Sequence, residues 1–146
     1  MDEIRSWLYI GNYHDTLNKY RLELNSIQAM LQLAEEVKQD GIPSIYLPVE
    51  DLEPIPNHLI EQGIGFVHVQ RKQNRRILVA CGAGINRSTA FCIASLKEEE
   101  GINIFQAFQE IKQKHPEAMP HQPVWESLCE YYDENVPYTN LMSLKA

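Results

Sequence analysis

The sequence predicts an α/β fold built on a central, mostly parallel sheet of four to five strands flanked by helices. Three observations lead there. Short runs rich in apolar and β-branched residues stand at 7–10, 26–33, 44–49 and 76–81, with the length and composition of buried strands. Segments of helical character lie between and after them, and this alternation is the pattern of an α/β layer fold. Glycines at 82 and 84 separate the apolar run 76–81 from a helix-forming segment, and such folds bind ligands at the carboxyl ends of their strands.

Taken in order, residues 7–10 form the first expected strand, and the polar stretches 15–24 and 34–39 are partly helical in character. The run 26–33 is the second strand and 44–49 the third. Residues 57–72 place Ile60, Ile64, Val67 and Arg71 at helical intervals, although Gly63, Gly65 and several β-branched residues oppose a helix. A helix is expected there because the chain needs a crossover before the strand at 76–81. From Ser88 the sequence reads as an Ala- and Leu-containing helix closed by Gly101. Ile104, Ala107, Phe108 and Ile111 share one face of a helix over 103–114, with Asn103 and Gln106 as a capping pair. Pro116, Pro120 and Pro123 interrupt the chain before a last helix at 124–132. Residues 1–136 are expected to form one domain and residues 137–146 a loosely held tail.

At 146 residues the chain is long enough to bury a core without disulfides or metals. No apolar stretch approaches 18 residues, so no membrane span or membrane partner is expected. The acidic start, Met1 to Arg5, lacks the apolar core of a signal peptide. Three cysteines, an odd number without metal-like spacing, suit free thiols in a reducing, cytoplasmic compartment better than a disulfide framework. The five histidines show no zinc pattern; no metal and no cofactor are expected. A net charge of −7 argues against nucleic acid as a non-specific partner.

The chemistry concentrates in residues 76–91, RILVACGAGINRSTAF. A glycine-containing loop between a strand and a helix turns backbone N–H groups inward, and the helix adds a positive dipole end, which together suit a dianion such as phosphate. Arg87 supplies a planar fork of donors to two phosphate oxygens. Cys81 would lie at the bottom of this bowl with its sulfur aimed at phosphorus. An ordinary thiol, with a pKa near 8.5, is only about 3% thiolate at neutral pH. At a helix N-terminus beside an arginine, thiol pKa values fall to roughly 3.5–7.5. The field that binds phosphate therefore also creates a nucleophile. The plain structural alternative is a strand-turn-helix junction with a buried cysteine.

Cys81-Gly82-Ala83-Gly84-Ile85-Asn86-Arg87-Ser88 resembles the Cys-x-Ala-Gly-x-x-Arg-Ser signature of the cysteine-dependent dual-specificity protein phosphatases, within the protein tyrosine phosphatase superfamily. Trp7 to Asn12 is similar to the family's opening strand and Leu-Tyr-x-Gly-Asn turn, and residues 27–33 fall where the family has its second strand. Ala94-Ser95-Leu96 matches the Ala-x-Leu run of the helix after the loop. Ala107-Phe108, His115-Pro116, Pro120 and Trp125 resemble its closing helices and their link. The resemblance spans about residues 5–133 and implies a phosphatase-like fold and a metal-independent phosphatase acting through a phosphocysteine. It implies Cys81 as nucleophile, with residues 82–87 (Gly82, Ala83, Gly84, Ile85, Asn86 and Arg87) as the phosphate-binding loop.

A departing alkoxide needs a proton donor. Glu50, Asp51 and Glu53 follow the third strand, and the resemblance favours Asp51 as the acid, and afterwards as the base for water. Ser88 is a helix-cap candidate, and by resemblance its hydroxyl also donates to the sulfur to ease thiolate departure. Cys92 and Cys129 read as buried small hydrophobes. The family commonly has His before the nucleophile, where this chain has Ala80, which implies weakened rather than abolished catalysis. It often has Asn where His121 stands. The loop carries no lysine, and the compact chain leaves little room for a deep pocket. The implied substrate is therefore a phosphoprotein bearing phosphotyrosine or phosphoserine/threonine. The alternatives are a non-catalytic phosphoresidue-binding module and a sulfurtransferase.

Overall fold

In the computed structural model, which describes residues 1–144, five strands lie in the order β1-β2-β5-β3-β4. They are β1 (Asp2–Arg5), β2 (Leu8–Asn12), β3 (Ala29–Gln32), β4 (Ser44–Tyr46) and β5 (Ile77–Cys81). β2, β5, β3 and β4 pair in parallel and only β1 runs antiparallel, against β2. The expected mostly parallel sheet is therefore present. β5 lies at its centre, and every residue of Ile77–Cys81 is buried, which is why its sequence is an unbroken apolar run rather than an alternating one.

Side chains of the three middle strands alternate between two apolar clusters, as the twofold period of a strand requires. Leu8, Ile10, Leu31, Ile77, Val79 and Cys81 face the larger core. It is covered by α3 (Asn57–Lys72), α4 (Arg87–Glu100), α5 (Ile104–Lys114) and α6 (Gln122–Tyr132). Tyr9, Met30, Leu78 and Ala80 face the other way, towards Leu22 and Ile27. Leu22 belongs to α2 (Lys19–Leu24), which follows α1 (Tyr13–Leu17).

The expected helix over 57–72 is α3. Its Gly63, unfavourable in a helix by itself, is a packing requirement: a Cβ there would run into the Phe91 ring of α4. α4 closes at Gly101 with φ 74°, a left-handed cap that glycine adopts at little cost. α5 uses half of the expected capping pair. Asn103 accepts from the Gln106 backbone N–H at 2.8 Å, but the Gln106 side chain donates to Glu110 instead of returning to the cap.

Four expectations are corrected. β1 was missed, because Asp-Glu-Ile-Arg carries a single apolar residue. Its hold comes from pairing with β2, from Ile4 at 3% exposure, and from Arg5, whose guanidinium bonds Glu100 and Glu110 on α4 and α5. The stretch 34–39 is not helical: the Gln32 carboxamide bonds both Val37 N–H and Val37 carbonyl, giving the chain a side-chain substitute for a backbone pair. Pro123 lies within the first turn of α6, where a missing N–H is tolerated. The expected loose tail forms α7 (Tyr138–Met142) instead, and its Leu141 is 1% exposed in the core; the last two residues of that stretch, 145–146, lie outside the described residues.

Candidate active site

β5 ends at Cys81, and the chain then turns through residues 82–86 into α4. Cys81 is 2% exposed, with its Sγ 3.2 Å from the Ser88 hydroxyl. The thiol donates in this arrangement; the hydroxyl is the donor once the sulfur is a thiolate. Ser88 is the second residue of α4, and the cap position is held by Asn86. The helix-cap expectation for Ser88 is thus replaced by a contact with sulfur alone.

The loop's carbonyls are tied on its outer side. Gly82 O accepts from Tyr13 N–H at 3.3 Å, and Ile85 O from Met119 N–H at 2.9 Å. Thr89 Oγ1 donates to the same Ile85 oxygen at 2.7 Å. Gly84 O lies 2.6 Å from His115 Nε2. A planar trans peptide points its N–H away from its carbonyl. The tethers therefore turn the N–H groups of Ala83, Ile85 and Asn86 towards the inner side, where the first N–H groups of α4 also lie free of intrahelical partners. Inward-facing N–H groups beside the sulfur are an arrangement suited to an anion.

Gly84 is needed for this course. Its φ is +75°, and a Cβ would lie 2.9 Å from the Gly11 carbonyl oxygen, a backbone atom near the end of β2. Gly84→Ala is expected to destabilise the protein by about 1–2 kcal/mol from the left-handed backbone alone, with the clash in addition. A melt several degrees lower, together with weakened vanadate binding, is the expected outcome; an unchanged melt would show that the loop takes another path.

Arg87 is anchored through one nitrogen. Its Nη1 donates to the Leu33 carbonyl at 2.9 Å and the Val49 carbonyl at 3.0 Å. Nη2 points towards the loop, since a Cβ on Gly82 would meet it at 3.3 Å. Nε lies 3.3 Å from Asp51 Oδ1, within ion-pair range, yet it is buried with no aligned hydrogen-bond partner among the described residues. A buried guanidinium nitrogen without an acceptor is suited to an incoming oxyanion.

Of the three acidic candidates after β4, only Asp51 reaches the loop. Its Oδ1 accepts from Asn86 Nδ2 at 3.0 Å, whereas Glu50 and Glu53, exposed like Asp51, make no hydrogen bond to the loop. The strand before them is shorter than expected, ending at Tyr46. Asn86, expected in the phosphate-binding loop, has a second role that the sequence did not suggest. Its backbone N–H keeps its place in the loop, while the residue is 4% exposed and its side chain bonds Asp51 and the His121 N–H. Gly82, Ala83 and Ile85 are exposed, and Gly84 is buried.

His115 is a site residue that the sequence reading missed. It is 4% exposed, with Nδ1 2.6 Å from Asp2 and 3.3 Å from Glu117. It thus braces the loop's apex against the first strand. These three residues come close enough to hold a cation, but the imidazole is already occupied on both nitrogens by protein oxygens. No sequence periodicity could have marked it. Cys92, fully buried on α4, has its thiol pushed far up by burial and then by the neighbouring Cys81, which fits a packing role. Ala80, whose replacement of histidine stood out, faces the opposite cluster from Cys81, so its methyl makes no contribution at the sulfur.

The family model for the dual specificity phosphatase catalytic domain matches residues 8–134. The chain is 29% identical over 143 residues to rat dual specificity protein phosphatase 5, covering 94% of this chain and 37% of that protein. It therefore spans little more than a third of that relative's length. It is 27% identical over 143 residues to human dual specificity protein phosphatase 18, covering 90% of this chain and 72% of that one. The crystal structure of human DUSP28 superposes with a TM-score of 0.83 at 21% identity, covering 91% of this chain and 96% of that chain. That last likeness bears on the fold.

Proposed function

As the chain belongs to the dual specificity phosphatase family, we propose that it hydrolyses phosphomonoesters of phosphoproteins, phosphotyrosine and phosphoserine/threonine, through a phosphocysteine intermediate and without a metal. The observation that carries this reading is the loop whose carbonyls are tied outside while Cys81 Sγ stands beneath it. In the first step the Cys81 thiolate attacks phosphorus in line, the S–P bond forms and the ester P–O bond breaks. Asp51, as the carboxylic acid, gives its proton to the departing oxygen. Loop N–H groups and Arg87 neutralise the equatorial oxygens, the electrostatic work that a metal performs elsewhere. In the second step the Asp51 carboxylate takes a proton from water, the new P–O bond forms, and sulfur leaves as a thiolate that accepts from Ser88.

Substrate breadth is supported by the exposure of the loop, with Ile85 36% exposed and Leu52, next to Asp51, 64% exposed. No helix among the described residues is long and apolar enough to cross a membrane; we place the protein in the cytoplasm on the strength of its free thiols. The test is hydrolysis of p-nitrophenyl phosphate in EDTA, with and without vanadate, beside an assay with thiosulfate and cyanide. Turnover in EDTA that vanadate blocks is expected. Thiocyanate formation would make the protein a sulfurtransferase, and phosphate binding without turnover would make it a binding module.

A further inference from the structure

We propose that Asn86 is the positioning residue for the acid: its carboxamide latches the Asp51 turn and the start of α6 onto the phosphate loop. This rests on the reading of Asp51 as general acid and base. Asn86 Nδ2 donates to both the backbone carbonyl and Oδ1 of Asp51, the latter at 3.0 Å. Its Oδ1 accepts from the His121 backbone N–H at 2.7 Å. These partners fix the orientation of the amide. Reversing it would set two donors against each other at His121 and two acceptors against each other at Asp51.

Asp51 needs such a hold. It lies in a turn outside regular secondary structure, and its side chain is 55% exposed. Arg87 Nε stands near but is not aligned to bond it. The aligned donor on the carboxylate is Asn86, and it grips Oδ1. Oδ2 is then the atom left to carry the proton to the leaving oxygen. A neutral donor also serves both halves of the reaction, since Oδ1 can accept whether Oδ2 is protonated or not, though more strongly in the carboxylate. A lysine in the same place would bias the group towards the carboxylate far more strongly.

The latch also explains why a loop residue turns outward. Asn86 is adjacent to Arg87, so one strand-to-helix turn delivers the anion's main cation inward and the acid's holder outward. The position of the acid is thereby tied to the position of the phosphate. The second tie, to His121, anchors the latch to α6. The His121 side chain takes no part, as its Nδ1 is buried without a partner among the described residues.

The test compares Asn86→Ala, Asn86→Ser and Asp51→Asn with the unaltered protein on p-nitrophenyl phosphate, phenyl phosphate and a phosphoserine peptide, alongside vanadate affinity. A serine hydroxyl has one proton and one oxygen and cannot span both partners, so it covers the case in which the alanine variant does not fold. The Asn86 variants should lose roughly 10- to 100-fold on phenyl phosphate and the peptide, the worth of a hydrogen bond to a charged group. Their loss on p-nitrophenyl phosphate should be the smallest of the three, with vanadate bound within about 3-fold of the parent, since the backbone N–H at 86 is kept and the loss falls on acid catalysis. Adding Asp51→Asn to Asn86→Ala should cost less than it does alone, the non-additivity of residues acting as a unit. Equal losses on all substrates, or vanadate binding weakened in step, would make Asn86 a shaper of the loop and overturn the latch. Full activity in the variants would overturn it too. If Asp51→Asn itself shows no dependence on the leaving group, the acid assignment fails and the latch falls with it. If Asp51→Asn shows that dependence and the Asn86 variants do not, only the latch fails.

Discussion

Replacing Cys81 with serine is expected to lower turnover by roughly 10⁵-fold or more, the scale of loss when the nucleophile of a catalytic unit is removed. Serine keeps the shape and the contact with Ser88 but is not ionised at neutral pH. Phosphopeptide binding should survive, because the outward ties on Gly82, Gly84 and Ile85 and the anchoring of Arg87 do not involve sulfur. Rapid quenching with a ³²P-labelled phosphopeptide checks both halves. The parent should trap label on a cysteine, and Cys81→Ser should bind the peptide and trap none. Label retained on another residue of the variant, or turnover near that of the parent, would rule out the covalent role of Cys81.

The second large effect concerns Asp51. Asp51→Asn keeps the hydrogen-bonding shape beside Asn86 and removes the transferable proton, so turnover should fall by roughly 10²–10⁴-fold. The loss should be greatest on phosphoserine, whose alkoxide leaves poorly, and least on p-nitrophenyl phosphate. Glu50→Gln and Glu53→Gln should be near neutral, since neither side chain is placed at the loop. A leaving-group dependence that appeared with either glutamate and not with Asp51 would move the acid to that residue.

The elements legible in the sequence were those whose signal is local. β5 is an unbroken apolar run, α4 ends on a glycine, and α5 carries one apolar face. The loop was legible because its chemistry is contiguous: Cys81, Gly84, Arg87 and Ser88 fall within eight residues. What the sequence concealed depends on partners far along the chain. β1 is held by Arg5 to residues 95 and 105 positions away, and α7 by burial of Leu141. His115 meets Gly84 across 31 residues, and Asn86 meets Asp51 and His121 across 35 each. A histidine or asparagine is a common surface residue, and nothing in its neighbours' hydropathy marks it as a brace. Gly63 is the converse case, a residue that seems to break a helix until the ring opposite is seen.

The outward ties on the loop carbonyls have a consequence for selectivity. Because they are made while the chain folds, the conformational entropy of ordering the donors is met before any substrate arrives, and binding costs mainly the ligand's own freedom. Under the proposed function, such a rigid receptor would recognise the PO₃ group that every phosphomonoester shares and be indifferent to the alcohol behind it. Choice among substrates must then be made at the rim, where Ile85 and Leu52 are exposed. Exchanging those two side chains should redistribute preference among phosphopeptides while leaving the affinity for inorganic phosphate where it was.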